Sequence, residues 1–180
     1  LKYILSTFPF VIFNFHSDRG SEYVNHIVAH LLNKLLIEQT KSRSRHSNDN
    51  ALIESKNGSV IRKNFGYHHV NQNQVDGINL FLKKWFNPYL NYHRPCLYPT
   101  SERIDKHGKV RVTYSEAKVP YDKLRELATT QTIKLQSKVS WEQLETISMQ
   151  HSDNEFAKLM RKQEHYAFDT LTDIITRKEQ

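Results

Sequence analysis

The fold is indicated most clearly by one stretch, Pro9-Phe-Val-Ile-Phe-Asn-Phe-His-Ser-Asp-Arg-Gly-Ser-Glu-Tyr23. Its first half is a short run of β-branched and aromatic residues behind a proline, which predicts a buried strand over residues 9–15. The segment Asp18-Arg-Gly-Ser21 has the chemistry of a turn, and Asp18 or Ser21 can cap the helix that follows. A buried strand that turns directly into a helix is typical of an α/β unit.

The periodicity continues this pattern outward from the first strand. Apolar residues recur at helical spacing over residues 23–36, and residues 37–41 have the length of a second short strand. The polar, basic residues 42–50 predict a loop, and residues 51–65 predict another helix. The order strand, helix, strand, helix indicates an α/β first half.

The second half of the chain has a different character. Residues 75–86 predict a helix that ends at Pro88 or soon after it, and residues 91–96 are irregular. Residues 98–120 are polar and weakly periodic, which predicts an extended arm or a loose hairpin. The remaining tail predicts two or three helical pieces, so the second half is mainly α-helical.

The amino-acid composition limits the classes of protein to which this chain can belong. The 180 residues include 26 Lys+Arg and 19 Asp+Glu, with a net charge of +7 and a pI near 9.4, which suggests a polyanionic partner. The length allows one domain with at most a small appendage. No apolar run approaches the ~20 residues of a membrane span, so we expect no membrane partner. The single Cys96 excludes an internal disulfide and a multi-cysteine zinc site, and a cytoplasmic location is expected.

Two acidic residues, Asp18 and Glu54, stand 36 positions apart, one just past the first strand and one early in a helix. Converging carboxylates can hold the divalent ions that catalyse phosphoryl displacement. The same residues can instead cap a helix or favour its N-terminal end. Basic residues cluster nearby in the sequence, and they indicate either a phosphate-binding surface or an ordinary solvated one.

Two sequence motifs give this chain a resemblance to a known protein family. His16-Ser-Asp-Arg-Gly-Ser-Glu-Tyr23 and Asn48-Asp-Asn-Ala-Leu-Ile-Glu54 together resemble the integrase-type transposases of bacterial insertion sequences. Those enzymes belong to the retroviral-integrase, RNase H-like superfamily, whose DDE triad of acidic residues binds metal. The resemblance extends through Asn91-Tyr-His-Arg-Pro95 and covers roughly residues 8–100.

The resemblance implies roles for particular residues. Asp18 matches the second acid of the triad and Glu54 the third, and both would be catalytic residues and ligands of Mg²⁺ or Mn²⁺. A further set would contact DNA from the loop and the helix around Glu54: Arg43, Arg45, Asn50, Lys56, Asn57, Arg62 and Lys63.

The chain departs from the family at the first acid. None of residues 1–17 is acidic, and the first three strands of the family's sheet have no counterpart, since residues 1–8 match the helix before the fourth strand. We therefore expect a partial RNase H-like α/β core lacking its first strands, followed by a mainly α-helical region. The expected divisions are 1–70 for the remaining core, 71–98 for its closing helix and Arg-Pro segment, and 99–180 for an arm and helical tail.

The expected function is that of a fragment of a DNA transposase, whose intact form carries out Mg²⁺-dependent strand transfer at transposon ends and target DNA. Two carboxylates would hold metal poorly, so we expect this chain alone to be inactive and marginally folded. Its other partners would be a second copy or an intact transposase, in association with the nucleoid. Three alternatives remain open: a non-enzymatic DNA-binding remnant or regulator of transposition, a hydrolytic nuclease, and a structural protein.

Overall fold

The computed structural model describes residues 1–44, 49, 51–67, 70–108, 110–130 and 133–176, with side chains everywhere except at 51–52 and 165–176. The architecture is mixed α/β, as the sequence predicts. Contacts divide the chain into two units. Unit 1 consists of Leu1–His69 with Lys134–Ser137, and unit 2 consists of Val70–Ile133 with Lys138–Gln180.

Unit 1 is built on a strand–helix–strand arrangement. After helix α1 (Lys2–Thr7), strand β1 (Asn14–Ser17) leads through helix α2 (His26–Lys34) to strand β2 (Glu38–Lys41). The two strands pair in parallel, and α2 provides the crossover that parallel strands require. The unit continues with three consecutive helical segments: α3 (Ala51–Lys56), the π-helical turns Asn57–Arg62, and α4 (Lys63–Phe65).

The first strand lies further along the chain than predicted. Residues 9–15 were expected to form it, but β1 covers Asn14–Ser17. The apolar front of the run takes a different partner, because Val11 N donates to Lys134 O at 2.8 Å and Phe10 forms a bridge with Leu135. Phe13 is 69% exposed, so the expectation of a wholly buried strand is wrong.

The core of unit 1 is small. Its fully buried apolar side chains in the described residues are Leu5, Leu32 and Ile37, each no more than 8% exposed. Each contributes about 1.5–3 kcal/mol by leaving water. Partly buried apolar side chains surround the core: Leu1, Ile12, Phe15 and Val28.

The end of α2 is fixed by a Schellman motif. Leu36 N donates to Asn33 O at 3.0 Å, and Ile37 N donates to Leu32 O at 2.9 Å. The motif requires a left-handed residue at Leu36, whose φ is 56°. Glycine is the usual residue at this position because a Cβ atom strains it, so Leu36 carries a local cost.

Unit 2 contains the remaining elements. A short 3-10 turn, Gln72–Gln74, leads into α5 (Val75–Phe81), the π-helical turns Leu82–Phe86 and Tyr89–His93, strands β3 (Cys96–Ile104) and β4 (Val110–Lys118), and helices α6 (Pro120–Thr130), α7 (Trp141–Met149) and α8 (Asp153–Thr176). The helical tail predicted from the sequence is confirmed.

The sequence predicts that the helix from Val75 ends at Pro88 or soon after it. The helix continues to His93, so the prediction of an irregular segment from residue 91 is wrong for its first three residues. The turns before and after Pro88 are π-helical, and the proline itself offers no N–H for a helical hydrogen bond. The helix ends at Arg94. Its backbone is extended because a residue that directly precedes a proline, here Pro95, disfavours the helical conformation.

The hairpin of β3 and β4 is more regular than predicted. Its strands pair antiparallel from Cys96 opposite Lys118 to Ile104 opposite Val110, with an irregularity around Pro99. At the tip, Gly108 has a φ of 74°, and its N–H donates to Asp105 O at 3.0 Å. The glycine therefore supplies the left-handed backbone of this turn.

Aromatic side chains dominate the core of unit 2. Phe86 is 1% exposed, and the rings of Trp85 and Phe156 lie 6.0 Å apart. His93 is buried with its ring stacked on Phe156 at 4.4 Å, and His93 Nδ1 lies 3.0 Å from Asp153 Oδ1. These rings and the buried Phe86 form the centre of the described core of unit 2.

Sequence-encoded caps fix the last two helices. Ser140 and Gln143 form a reciprocal capping box at the start of α7, and Ser152 and Glu155 exchange hydrogen bonds in the same way before α8. Within the ranges that the structure describes, no helix combines the length and the hydrophobicity that crossing a membrane requires.

Candidate functional site

The candidate site begins at the carboxyl edge of the β1–β2 pair. His16 lies opposite Thr40 and Ser17 opposite Lys41 in the parallel register. Asp18 comes directly after β1, and α3 with Glu54 is the next helix after β2. Both predicted acids therefore follow the carboxyl ends of neighbouring parallel strands.

A network of small polar side chains fixes this edge. His16 Nδ1 lies 2.9 Å from Thr40 Oγ1, and His16 Nε2 lies 3.2 Å from Ser42 Oγ. The backbone extends the pairing by one step, since Ser42 N donates to Ser17 O at 2.9 Å. Ser17 and Ser42 are both buried. The sequence motif containing His16 gave no indication that this side chain would contact the second strand.

Asp18 lies in the turn that follows. Its Oδ1 accepts the N–H of Gly20 at 2.9 Å, which is an Asx turn, and the residue is exposed. The next residue, Arg19, donates from Nε to Ser42 O at 3.1 Å and joins the turn to the end of β2. The alternative in which Asp18 caps α2 is wrong, because Asn25 accepts the N–H of Val28 at 3.0 Å and is the cap.

Glu54 lies in the first turn of α3 and is exposed. Among the described residues, its carboxylate makes no hydrogen bond or ion pair, and the structure does not bring it into hydrogen-bonding contact with Asp18. Its position near an N-terminal end also favours the helix dipole, the alternative drawn from the sequence.

The predicted DNA-contacting residues differ from one another in the partners that their side chains contact. Arg43 is held by Asp49, with Nη2 at 2.9 Å from Oδ1 and Nε at 3.1 Å from Oδ2. This bidentate pair raises the pKa of Arg43 through the hydrogen bond and the negative charge of Asp49. This partner of Arg43 was not predicted from the sequence. Arg45 and Asn50 lie outside the described residues.

The helical residues beyond Glu54 are exposed on the surface: Lys56, Asn57, Arg62 and Lys63. The stretch from Asn57 to Arg62 is π-helical, so an α-helical wheel does not describe which of its residues share a face. Arg62 lies over the ring of Tyr67, 5.3 Å from its centroid. Among the described atoms, none lies within 4 Å of where a Cβ of Gly58 would be, so close helix packing does not explain that glycine.

The residues present do not make a complete metal site. In the parts of the chain that the structure describes, no group of three or more His, Cys, Asp or Glu side chains is arranged to hold an ion. Asp18 and Glu54 are oxygen donors of the kind that Mg²⁺ prefers, but Mg²⁺ demands near-octahedral coordination. Two separate exposed carboxylates do not fit a two-ion centre.

Comparisons with known proteins add one partial match. No family model matches the chain, and no solved structure matches it. A segment of 62 residues, 34% of the chain, is 36% identical to "Uncharacterized protein y4rM" of Sinorhizobium fredii (strain NBRC 101917 / NGR234). The match spans 18% of that relative's length.

Proposed function

We propose that unit 1 contributes part of a DNA strand-transfer site of the transposase and integrase kind, with Asp18 and Glu54 as two of its acids. The observation that carries the proposal is topological. Both acids follow the carboxyl ends of neighbouring parallel strands, one directly after β1 and one in the helix after β2. Open α/β sheets bind their ligands outside this edge.

In such a reaction a 3′-hydroxyl attacks a phosphodiester of the target strand, and the bond from phosphorus to the leaving 3′-oxygen breaks in line. In the complete enzyme Mg²⁺ or Mn²⁺ would stabilise charge on the attacking and leaving oxygens. The residues of this chain would hold Asp18 beside the strand ends, because the contacts of His16 with Thr40 and Ser42 fix those ends. Two acids are too few for that centre, so residues 1–180 alone would be inactive.

The DNA-contacting surface would be the exposed cations of the α3 to α4 region, Lys56, Arg62 and Lys63. Such residues hold phosphates without reading bases. Arg43 would join them only by keeping its pair with Asp49 and using its remaining N–H groups, or by exchanging that carboxylate for a phosphate. The pair therefore makes Arg43 a weaker candidate than the helical cations.

A DNA-binding role without catalysis is the second candidate. It is favoured by the incomplete acidic set in the described residues. A non-catalytic binder would keep its affinity for DNA when Asp18 and Glu54 are neutralised, and it would gain no joining activity from any added segment.

The test begins with the coding DNA upstream of the codon for Leu1. We expect it to encode, in frame or one shift away, a strand carrying an aspartate, and we expect the extended protein to join labelled duplexes made from the sequences that flank its gene. Residues 1–180 alone should give no joined product with Mg²⁺ or Mn²⁺. Unrelated upstream sequence would contradict the proposal, and joining by residues 1–180 alone would contradict the claim that two acids are too few.

A further inference from the structure

The β3–β4 hairpin has one anchored end and one exposed end. At the anchored end, Lys123 of α6 lies 3.3 Å from Glu116 of β4 and 2.7 Å from Glu126 of α6, and Lys118 of β4 also contacts Glu126. Every residue in the ranges 99–104 and 110–115 is exposed. The far part of the hairpin is therefore a two-stranded ribbon with solvent on both faces.

The register divides the ribbon into two unlike faces, because directly opposite residues of an antiparallel pair share a face. Arg103 lies opposite Arg111 and Ser101 opposite Thr113. We call this set the cationic face: Ser101, Arg103, Arg111 and Thr113. The other face carries Glu102, which lies opposite Val112, together with the exposed apolar residues of the ribbon: Ile104, Val110, Val112 and Tyr114.

Two arginines directly opposite each other destabilise a hairpin through like-charge repulsion. Asp105 offsets part of that repulsion, since its Oδ2 lies 3.3 Å from Arg111 Nε. Arg103 makes no ion pair with any other residue that the structure describes. An anion bound between the two guanidinium groups would remove the remaining repulsion, and phosphate oxygens match the planar donors of arginine.

We propose that the cationic face binds the phosphate backbone of duplex DNA. The major groove is about 12 Å wide and admits a two-stranded ribbon, whose strands are about 4.8 Å apart. The charge is complementary to DNA, because the sequence between residues 99 and 115 has four basic residues and two acidic ones. The inference goes beyond the proposed function, since the ribbon belongs to unit 2 and uses neither Asp18 nor Glu54.

The test measures binding of the full chain to a short, random-sequence DNA duplex by fluorescence anisotropy at increasing salt. Replacing both arginines, Arg103→Gln with Arg111→Gln, should lower the slope of log K against log salt by about 1.8, since each phosphate contact contributes about 0.9. The control, Lys84→Gln with Lys158→Gln, removes the same charge from exposed positions of unit 2 outside the ribbon. It should leave the slope unchanged.

A slope for the arginine variant equal to that of the control would overturn the proposal, as would a wild-type chain that does not bind the duplex. The charge-conserving variant, Arg103→Lys with Arg111→Lys, should keep the wild-type slope, which separates loss of charge from loss of fold. Another pair of results would assign the ribbon to a second copy of the chain instead. The wild type would self-associate and the variant Val112→Ser with Tyr114→Ser would not, while the arginine changes would leave the DNA slope unaffected. Failure of strand transfer by unit 1 would leave all of these slopes unchanged.

Discussion

Unit 1 and unit 2 bury very different amounts of apolar side chain. The described core of unit 1 consists of Leu5, Leu32 and Ile37, whereas the described part of unit 2 buries seven apolar and aromatic residues: Phe81, Phe86, Val119, Tyr121, Leu144, Phe156 and Met160. Both units leave large apolar side chains in solvent, among them Ile27 of unit 1 at 83% and Met149 of unit 2 at 75% exposure, so the difference lies in what they bury. The unit that carries both candidate acids is thus the one with the smaller core.

The difference shows which forces position the candidate site. In unit 1 the strand ends are held by short polar contacts, such as the 2.9 Å contact between His16 and Thr40, beside a core of three buried side chains. In unit 2 stacked rings and reciprocal caps hold long helices. A site that depends on so small a core has little tolerance for cavities. Substitutions in the two units test this contrast between their cores, from the largest expected effect to the smallest.

The largest effect is expected from Leu32→Ala. Leu32 is 1% exposed and sits in the core of unit 1, so its truncation should cost about 2–5 kcal/mol of unfolding free energy. Because that core has few other contacts, we expect peptides of unit 1 to lose their protection from hydrogen exchange while those of unit 2 retain it.

The matched control is Phe86→Ala, which truncates a side chain of unit 2 that is also 1% exposed. It should cost about 3–5 kcal/mol and expose peptides of unit 2. Equal loss of protection in both units after Leu32→Ala would contradict the contrast between the two cores.

An intermediate effect of the opposite sign is expected from Leu36→Gly. Leu36 has a φ of 56° and is 88% exposed, so glycine relieves left-handed strain and loses no buried contact. Unit 1 should gain about 1 kcal/mol of stability in denaturant unfolding. Leu35→Gly is the control, because Leu35 has a φ of −91° and should lose stability instead. A loss for Leu36→Gly would mean that the side chain stabilises the turn.

The smallest effect concerns pH and the anchored end of the hairpin in unit 2. Hydrogen bonds from Lys118, and then from Lys123, hold the pKa values of Glu116 and Glu126 below their usual range. A pKa lowered by folding gives stability that is present above the unfolded pKa and lost as the pH falls through the folded one.

Exchange protection in β3 and β4, corrected for intrinsic rates, should therefore weaken below about pH 4. The variant Glu116→Gln with Glu126→Gln should remove that dependence. Identical protection of the wild-type hairpin below about pH 4 and at neutral pH would show that these ion pairs do not anchor it.

Local sequence signals predicted much of the architecture. The crossover between β1 and β2 follows from helical spacing between two short runs, and the helices of the tail follow from apolar residues at the same spacing. The position of β1 could not be predicted in this way, because the pairing of Val11 with Lys134 depends on a segment more than a hundred residues away. The pair between Arg43 and Asp49 and the extension of the helix through Pro88 depend on geometry that periodicity does not contain.

The roles of Asp18 and Glu54 remain predictions, and one measurement tests them most directly. Strand joining should be assayed with the protein extended by its upstream coding sequence, as wild type, as Glu54→Gln and as Glu38→Gln. Glu38 is the matched control, since its Oε2 accepts a hydrogen bond from Asn14 at 3.2 Å that glutamine can also accept. The account predicts joined product from the wild type and from Glu38→Gln and none from Glu54→Gln. Equal joining by Glu54→Gln would contradict it.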